Sequence, residues 1–227
     1  VSVNSLPSTP IITAGGPTTF CTGGSVTLTS SAGTSYLWST GATTSSITPT
    51  TAGSYSVQVT NASGCQSSSS TTTVVIVNSI PTTPTISAGG PTTFCGGGSV
   101  TLTSSAENSY LWSDGSTTAS INATASGNYS VQITDANGCQ SASSAATSVT
   151  VNPSPPIPTI SAGGATTFCS GGNVTLTSST GTSYLWSNGE TTSSINVTTS
   201  GNITVQVTNA GGCQSPPSAA TTITVYT

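Results

Sequence analysis

Cysteine is the residue type in this chain that combines reactivity with regular placement. The 227 residues include six cysteines, in three pairs: Cys21 and Cys65, Cys95 and Cys139, Cys169 and Cys213. Every pair has the same internal spacing, and each recurs about 74 residues after the one before. Such regularity reads as a disulfide framework and therefore as an oxidising compartment. Zinc is the rival chemistry for thiols, but the sequence offers no C-x-x-C and no histidine to complete a tetrahedral set.

Other chemistry is poorly supplied. General acid–base and nucleophilic catalysis need positioned titratable groups. Here there is no histidine or lysine, and the four carboxylates (Glu107, Asp114, Asp135, Glu190) fall at non-equivalent repeat positions. Serine and threonine are abundant, yet none has a base beside it. The reading is a non-enzyme with no cofactor. Asp114 or Asp135 as a calcium ligand lacks the clustered oxygens that a hard cation takes, so both read as turn formers. Alternate threonines (Thr27 and Thr29, Thr101 and Thr103, Thr175 and Thr177) would suit a flat hydroxyl array of the ice-binding sort; the plainer reading is solvent-facing strand. N-x-S/T triplets begin at Asn61, Asn122, Asn128, Asn173, Asn196 and Asn202 and mark local exposure.

The absence of Lys, Arg and His excludes whole classes of partner. Phosphate contacts and electrostatic docking on anionic lipid both need cations, which removes nucleic acid and the charged membrane surface. No apolar run is long enough to span a bilayer, so no direct membrane insertion is expected. Trypsin-like proteases find no cleavage site. With neither an initial Met nor a leader-like segment, the chain reads as an internal piece of a longer secreted protein.

The elements that must hold the cysteines follow from the repeat. Good helix formers are scarce and Ser, Thr and Gly dominate, so an all-β chain is expected. Val26-Thr-Leu28-Thr, Val100-Thr-Leu102-Thr and Val174-Thr-Leu176-Thr alternate as half-buried strands do. Tyr-Leu-Trp at Trp38, Trp112 and Trp186 forms a second strand, followed by Thr40-Gly41, Asp114-Gly115 and Asn188-Gly189, where Asp-Gly and Asn-Gly are strong hairpin signals. A short strand ends at Ile47, Ile121 and Ile195. Gly53, Gly127 and Gly201 open another, through Val57, Val131 and Val205, and a last strand runs near Val75, Val149 and Ile223. About seven strands per repeat indicate an antiparallel sandwich. The core is assigned to Trp38, Trp112, Trp186, Leu28, Leu102, Leu176, Val57, Val131 and Val205. The tryptophans fit this better than carbohydrate-stacking platforms. Pro-rich segments at 1–10, 77–84 and 151–158 are short, stiff junctions that place domains at 1–78, 79–152 and 153–227.

These residues resemble an immunoglobulin-like fold. Gly-x-Val-x-Leu is similar to strand B, the Trp to strand C, and Gly-x-Tyr-x-Val to the tyrosine corner of strand F. Where antibody-type domains carry core cysteines, this chain has Ser30 and Val57, Ser104 and Val131, Ser178 and Val205; the third corner residue is Ile203. The fuller pattern, TTFCxGGxVTLTSSxxxSYLWSxGxTTxSI…GxxxVQVTxxxGCQS, resembles Ig-like and PKD-like repeats of very large surface proteins in Bacteroidetes. Those are typically exported by the type IX system and include gliding adhesins. The resemblance implies tandem sandwiches arranged end to end at the cell surface.

Two cysteine pairings remain open. Pairing within repeats (Cys21–Cys65, Cys95–Cys139, Cys169–Cys213) closes short loops, worth about 4 kcal/mol each. The Ig topology implied by the resemblance puts those partners at opposite ends of a sandwich, roughly 25–40 Å apart. A disulfide needs Cα atoms within about 7 Å. In an end-to-end array that topology instead favours Cys21–Cys139 and Cys95–Cys213, leaving Cys65 and Cys169 to neighbouring copies or repeats. The function expected is a structural stalk or filament segment of an extracellular adhesin-type protein. Its partners would be neighbouring repeats of one long chain, with lateral copies in a fibre. The alternative is a module whose loops bind a surface glycan or protein.

Overall fold

The computed structural model describes Asn4–Thr227; Val1–Val3 of the first Pro-rich segment lie outside the described residues. Each repeat supplies eight short strands, and no helix occurs among the described residues. The first repeat holds β1 (Ile12–Ala14), β2 (Thr19–Cys21), β3 (Leu28–Ser30), β4 (Ser35–Trp38), β5 (Ser46–Ile47), β6 (Gly53–Tyr55), β7 (Val57–Thr60) and β8 (Thr73–Asn78). The second holds β9 (Ile86–Ala88), β10 (Thr93–Cys95), β11 (Val100–Ser104), β12 (Ser109–Trp112), β13 (Ser120–Ala123), β14 (Gly127–Tyr129), β15 (Val131–Thr134) and β16 (Thr147–Asn152). The third holds β17 (Ile160–Ala162), β18 (Thr167–Cys169), β19 (Val174–Ser178), β20 (Ser183–Trp186), β21 (Ser194–Val197), β22 (Gly201–Ile203), β23 (Val205–Thr208) and β24 (Thr221–Tyr226).

Pairing is the same in all three. In the first repeat β1-β3-β5 form one sheet, while β2-β8-β6 and β4-β7 lie on the other side of the core. Among the described residues no sheet mixes strands of two repeats. By backbone proximity the chain divides into two compact units. Among the described residues one comprises 4–85, Ser104–Ala119 and Ser130–Ala145; the other comprises Ile86–Thr103, Ser120–Tyr129 and Ala146–Thr227. The second repeat thus contributes its β12–β15 pair to the first unit and its remaining sheets to the second.

Alternation builds each core. Along β3, β11 and β19 the side chains alternate buried and outward, as a pleated strand packed on one face requires. In the first repeat Val26, Leu28, Trp38, Tyr55, Val57 and Val75 pack into one buried cluster; in the third Val174, Leu176, Trp186, Ile195, Val197, Ile203, Val205 and Ile223 do so. Each indole is at most 2% exposed and donates its Nε1–H to a backbone carbonyl, Thr44, Thr118 or Thr192, at 2.8 Å. That leaves no ring face on which a sugar can stack. The tyrosine corner is present twice: Tyr55 Oη donates to the Thr51 carbonyl at 2.9 Å and Tyr129 Oη to the Ala125 carbonyl at 3.0 Å. Ile203 simply fills the corner.

Three details depart from the expected pattern. The strand count is eight: the first strand breaks at Gly15-Gly16, and the strand that leads into the turn holding Cys65 changes partner at Ser56. Gly15 closes the first ladder by donating to the Thr27 carbonyl, after which the chain crosses to the opposite sheet. There β2 enters parallel to β8, with Cys21 beside Asn78, so each otherwise antiparallel sandwich carries one parallel pair. The Thr40-Gly41 and Asn188-Gly189 turns are tight, with Gly41 at φ 84 and Gly189 at φ 89, a region glycine enters without Cβ strain. They do not join paired strands, however: β4 pairs with β7, while β5 pairs with β3 in the other sheet.

A serine pair shapes the last hairpin. Ser67 Oγ accepts the Val59 N–H and Ser70 Oγ accepts the Val57 N–H, both at 3.1 Å, while each serine's own N–H bonds the same partner's carbonyl at 2.9 Å. Two extra residues are thereby absorbed as bulges without orphaning a buried donor. Ser141 with Ser144 and Ser215 with Ser218 repeat the arrangement.

Candidate functional site

Two local structures present the cysteines. The first is the end of β2, β10 or β18. Cys21 is the last residue of β2; Thr22 N–H then bonds the Asn78 carbonyl at 2.8 Å and Gly24 N–H bonds the Cys21 carbonyl at 2.9 Å. The same two bonds recur at Gly96 and Gly98 and at Ser170 and Gly172. The thiol is held at the tip of a closed turn.

The second is the turn after β7, β15 or β23. An Asx side chain organises it, the usual reason for Asn or Asp at such positions. Asn61 Oδ1 accepts the N–H groups of Ser63 and Cys65 at 3.0 Å, and Asn209 Oδ1 those of Gly211 and Cys213 at 3.0 Å. Asp135 Oδ1 does the same for Asn137 and Cys139 at 2.9 Å. The carboxylate of Asp135 is therefore spent on its own turn. Asp114 Oδ1 likewise accepts the Ser116 N–H at 2.9 Å.

Sulfur joins the two kinds of end. Cys21 is bonded to Cys139 and Cys95 to Cys213, each with a Cα–Cα distance of 5.6 Å. The first bond lies within the first compact unit and the second within the second. Both connect the β2-type end of one repeat to the turn of the next. Cys139 and Cys213 are fully buried at these joints. Cys65, half-buried, and Cys169, exposed, are free. The intra-repeat pairs Cys21–Cys65, Cys95–Cys139 and Cys169–Cys213 are not formed.

Hydrogen bonds reinforce the second joint. Asn209 Nδ2 donates to the Pro153 carbonyl at 2.7 Å, and Asn152 Nδ2 donates to the Gly211 carbonyl at 3.3 Å. Asn61 Nδ2 makes the equivalent bond to the Ser5 carbonyl at 2.9 Å. Asp135 has no side-chain donor for such a bond.

The remaining sequence candidates are placed as follows. Leu28, Leu102, Leu176, Val57, Val131 and Val205 are buried, as the tryptophans are. Thr101 Oγ1 bonds Asn122 Oδ1 at 2.7 Å, and Thr103 and Thr177 share hydrogens with Ser120 and Ser194 at 3.0 and 2.9 Å, so these outward hydroxyls are engaged across strands. Among the described residues no three His, Cys, Asp or Glu side chains gather as metal ligands would. An open groove of about 510 Å³ runs beside Pro153–Pro156 against Gly181 and Val207, and no titratable group lines it. Sequence reasoning missed the bulge serines; their signal was C-Q-S-x-x-S at one offset in every repeat.

The class defined here is an all-β protein of tandem sandwich repeats in which disulfides join successive repeats. No protein-family model matches the chain, and no curated protein matches it. Among solved structures it is similar to the three N-terminal domains of the bacteriophage RB49 Highly Immunogenic Outer Capsid protein (Hoc), at 16% identity over 96% of this chain and 98% of that one, with a TM-score of 0.34. A TM-score of that size carries no inference from one protein to the other.

Proposed function

We propose that the chain is a structural stalk or filament segment of an extracellular surface protein, without enzymatic activity, with repeats set end to end to give reach and stiffness. The observation that carries this reading is the pair of disulfides joining the β2-type end of one repeat to the turn of the next. A bond that served only one sandwich would lie inside it; these restrain the junctions. Disulfides are also the chemistry of an oxidising, non-cytoplasmic compartment. Short Pro-rich connections add stiffness beside each bond. The adhesin-type, Bacteroidetes setting rests on the sequence resemblance alone.

Electron microscopy of the purified chain tests the proposal. Extended rods of uniform length are expected in oxidising buffer, loosening on reduction. Compact particles would overturn it. Binding of a single isolated repeat on a glycan array would favour the rival binding-module reading.

A further inference from the structure

We infer that Cys169 and Cys65 are the two halves of a third joint of the same kind, so that where this chain meets only further copies of itself, Cys169 of one bonds Cys65 of the next, head to tail. Each half already has the local geometry of the bonded cysteines. At Cys169, Ser170 N–H bonds the Tyr226 carbonyl at 2.8 Å and Gly172 N–H bonds the Cys169 carbonyl at 3.0 Å, matching the bonds around Cys21 and Cys95. At Cys65, Asn61 Oδ1 holds the Ser63 and Cys65 N–H groups at 3.0 Å, as Asn209 holds those of Gly211 and Cys213. The complementary ends meet twice in the same molecule, at Cys21–Cys139 and Cys95–Cys213, so the mating geometry is observed rather than supposed.

The pairing has a direction. In both formed bonds a strand-end cysteine meets a turn cysteine; like never meets like. A contact between two different surfaces propagates as an open chain unless its rotation closes a ring. Cys169 therefore pairs with Cys65, and neither pairs with itself. One feature differs: Tyr226 stands where Asn78 and Asn152 stand in the other repeats, so the new joint lacks the Asn152-type bond to the turn; Asn61 already gives its Nδ2 to the Ser5 carbonyl of its own chain, and the disulfide is the bond that holds the joint.

The chemistry is thiol–disulfide exchange with a small-molecule disulfide as oxidant. One cysteine thiolate attacks oxidised glutathione and releases one glutathione thiolate. The second cysteine thiolate then displaces the other glutathione. Overall two protein thiols and one glutathione disulfide give one protein disulfide and two glutathiones, the two electrons passing to glutathione.

The test is to equilibrate the purified 227-residue chain in a glutathione redox buffer and run it on a non-reducing gel. A ladder of dimers, trimers and higher species is expected, collapsing to monomer on reduction. C65S alone and C169S alone should each lose the ladder, and an equal mixture of the two should give a dimer only, containing a Cys169–Cys65 peptide. Capping the free thiols of the unsubstituted protein with N-ethylmaleimide before oxidation should also abolish the ladder, which keeps the test independent of how the variants fold. The inference is overturned if the chain stays monomeric, whether with free thiols or with an internal Cys65–Cys169 bond. It is equally overturned if either single variant dimerises as readily as the mixture. It rests on the stalk reading only in taking repeats to join serially: the gel tests the joint, microscopy of the single chain tests the stalk, and either can fail alone.

Discussion

Val59 gives its backbone N–H to the Oγ of Ser67 at 3.1 Å, and Ser67 returns its own N–H to the Val59 carbonyl at 2.9 Å. A serine hydroxyl here replaces a backbone carbonyl in a sheet ladder. Both groups are buried, so the substitution decides whether an amide in the core is satisfied. Replacing Ser67, Ser141 or Ser215 with Ala should cost about 1–3 kcal/mol, the penalty of a buried donor left without an acceptor. A lowered urea midpoint with unchanged slope is the expected reading.

Ser30, Ser104 and Ser178 make the opposite case. Each is 7–9% exposed, and none of their hydroxyls has a hydrogen-bond partner. Ser104→Ala removes a stranded hydroxyl and leaves every other bond in place. It should raise stability, by about 1 kcal/mol, since an unpaired buried hydroxyl costs that much or more. Chemical denaturation of Ser104→Ala beside Ser141→Ala reads the two signs in one experiment; a loss from both would count against this assignment.

Each disulfide links residues 118 apart in sequence. In the chain-entropy model a loop of that size is worth about 4–5 kcal/mol. Cys21→Ser or Cys95→Ser should therefore lower the melting temperature well beyond any surface substitution. The far-UV spectrum at room temperature should persist, because among the described residues no sheet shares strands between repeats. Calorimetry with and without a phosphine reductant checks both points.

The two joints differ at the residue that organises the turn, Asp135 at the first and Asn209 at the second. Asn209 donates to the Pro153 carbonyl, whereas Asp135 at the first joint cannot. Asn209→Asp keeps the turn acceptor and deletes only that donor, for a loss of about 0.5–1.5 kcal/mol. Mass spectrometry during dithiothreitol treatment should show the Cys95–Cys213 bond of the variant reduced sooner than in the parent.

The sheets were legible in the sequence because their signal is local. Alternation at Val26–Leu28 and its copies reports a one-sided core wherever the strand goes. Crossing between sheets is not local. Nothing in Gly15-Gly16 says that the chain will re-enter parallel to β8, and a tight turn at Thr40-Gly41 looks the same whether the next strand pairs with the last or leaves it. The bulge serines were unread for a related reason. In a chain so rich in serine, identity alone does not mark the few hydroxyls that complete a ladder; their fixed offset from Cys65, Cys139 and Cys213 does. Cysteine spacing was visible from the start, but its pairing depended on which turns share an end, a property of topology.

The two disulfide loops overlap, one closing from residue 21 to 139 and the other from 95 to 213. Cut any one peptide bond between Cys21 and Cys213, and the two pieces stay covalently attached through at least one bridge. A single nick anywhere in that span, including the Pro-rich junctions at 77–84 and 151–158, releases no fragment. Continuity of the chain is thus redundant over most of its length, and losing it takes two well-placed cuts or a reductant.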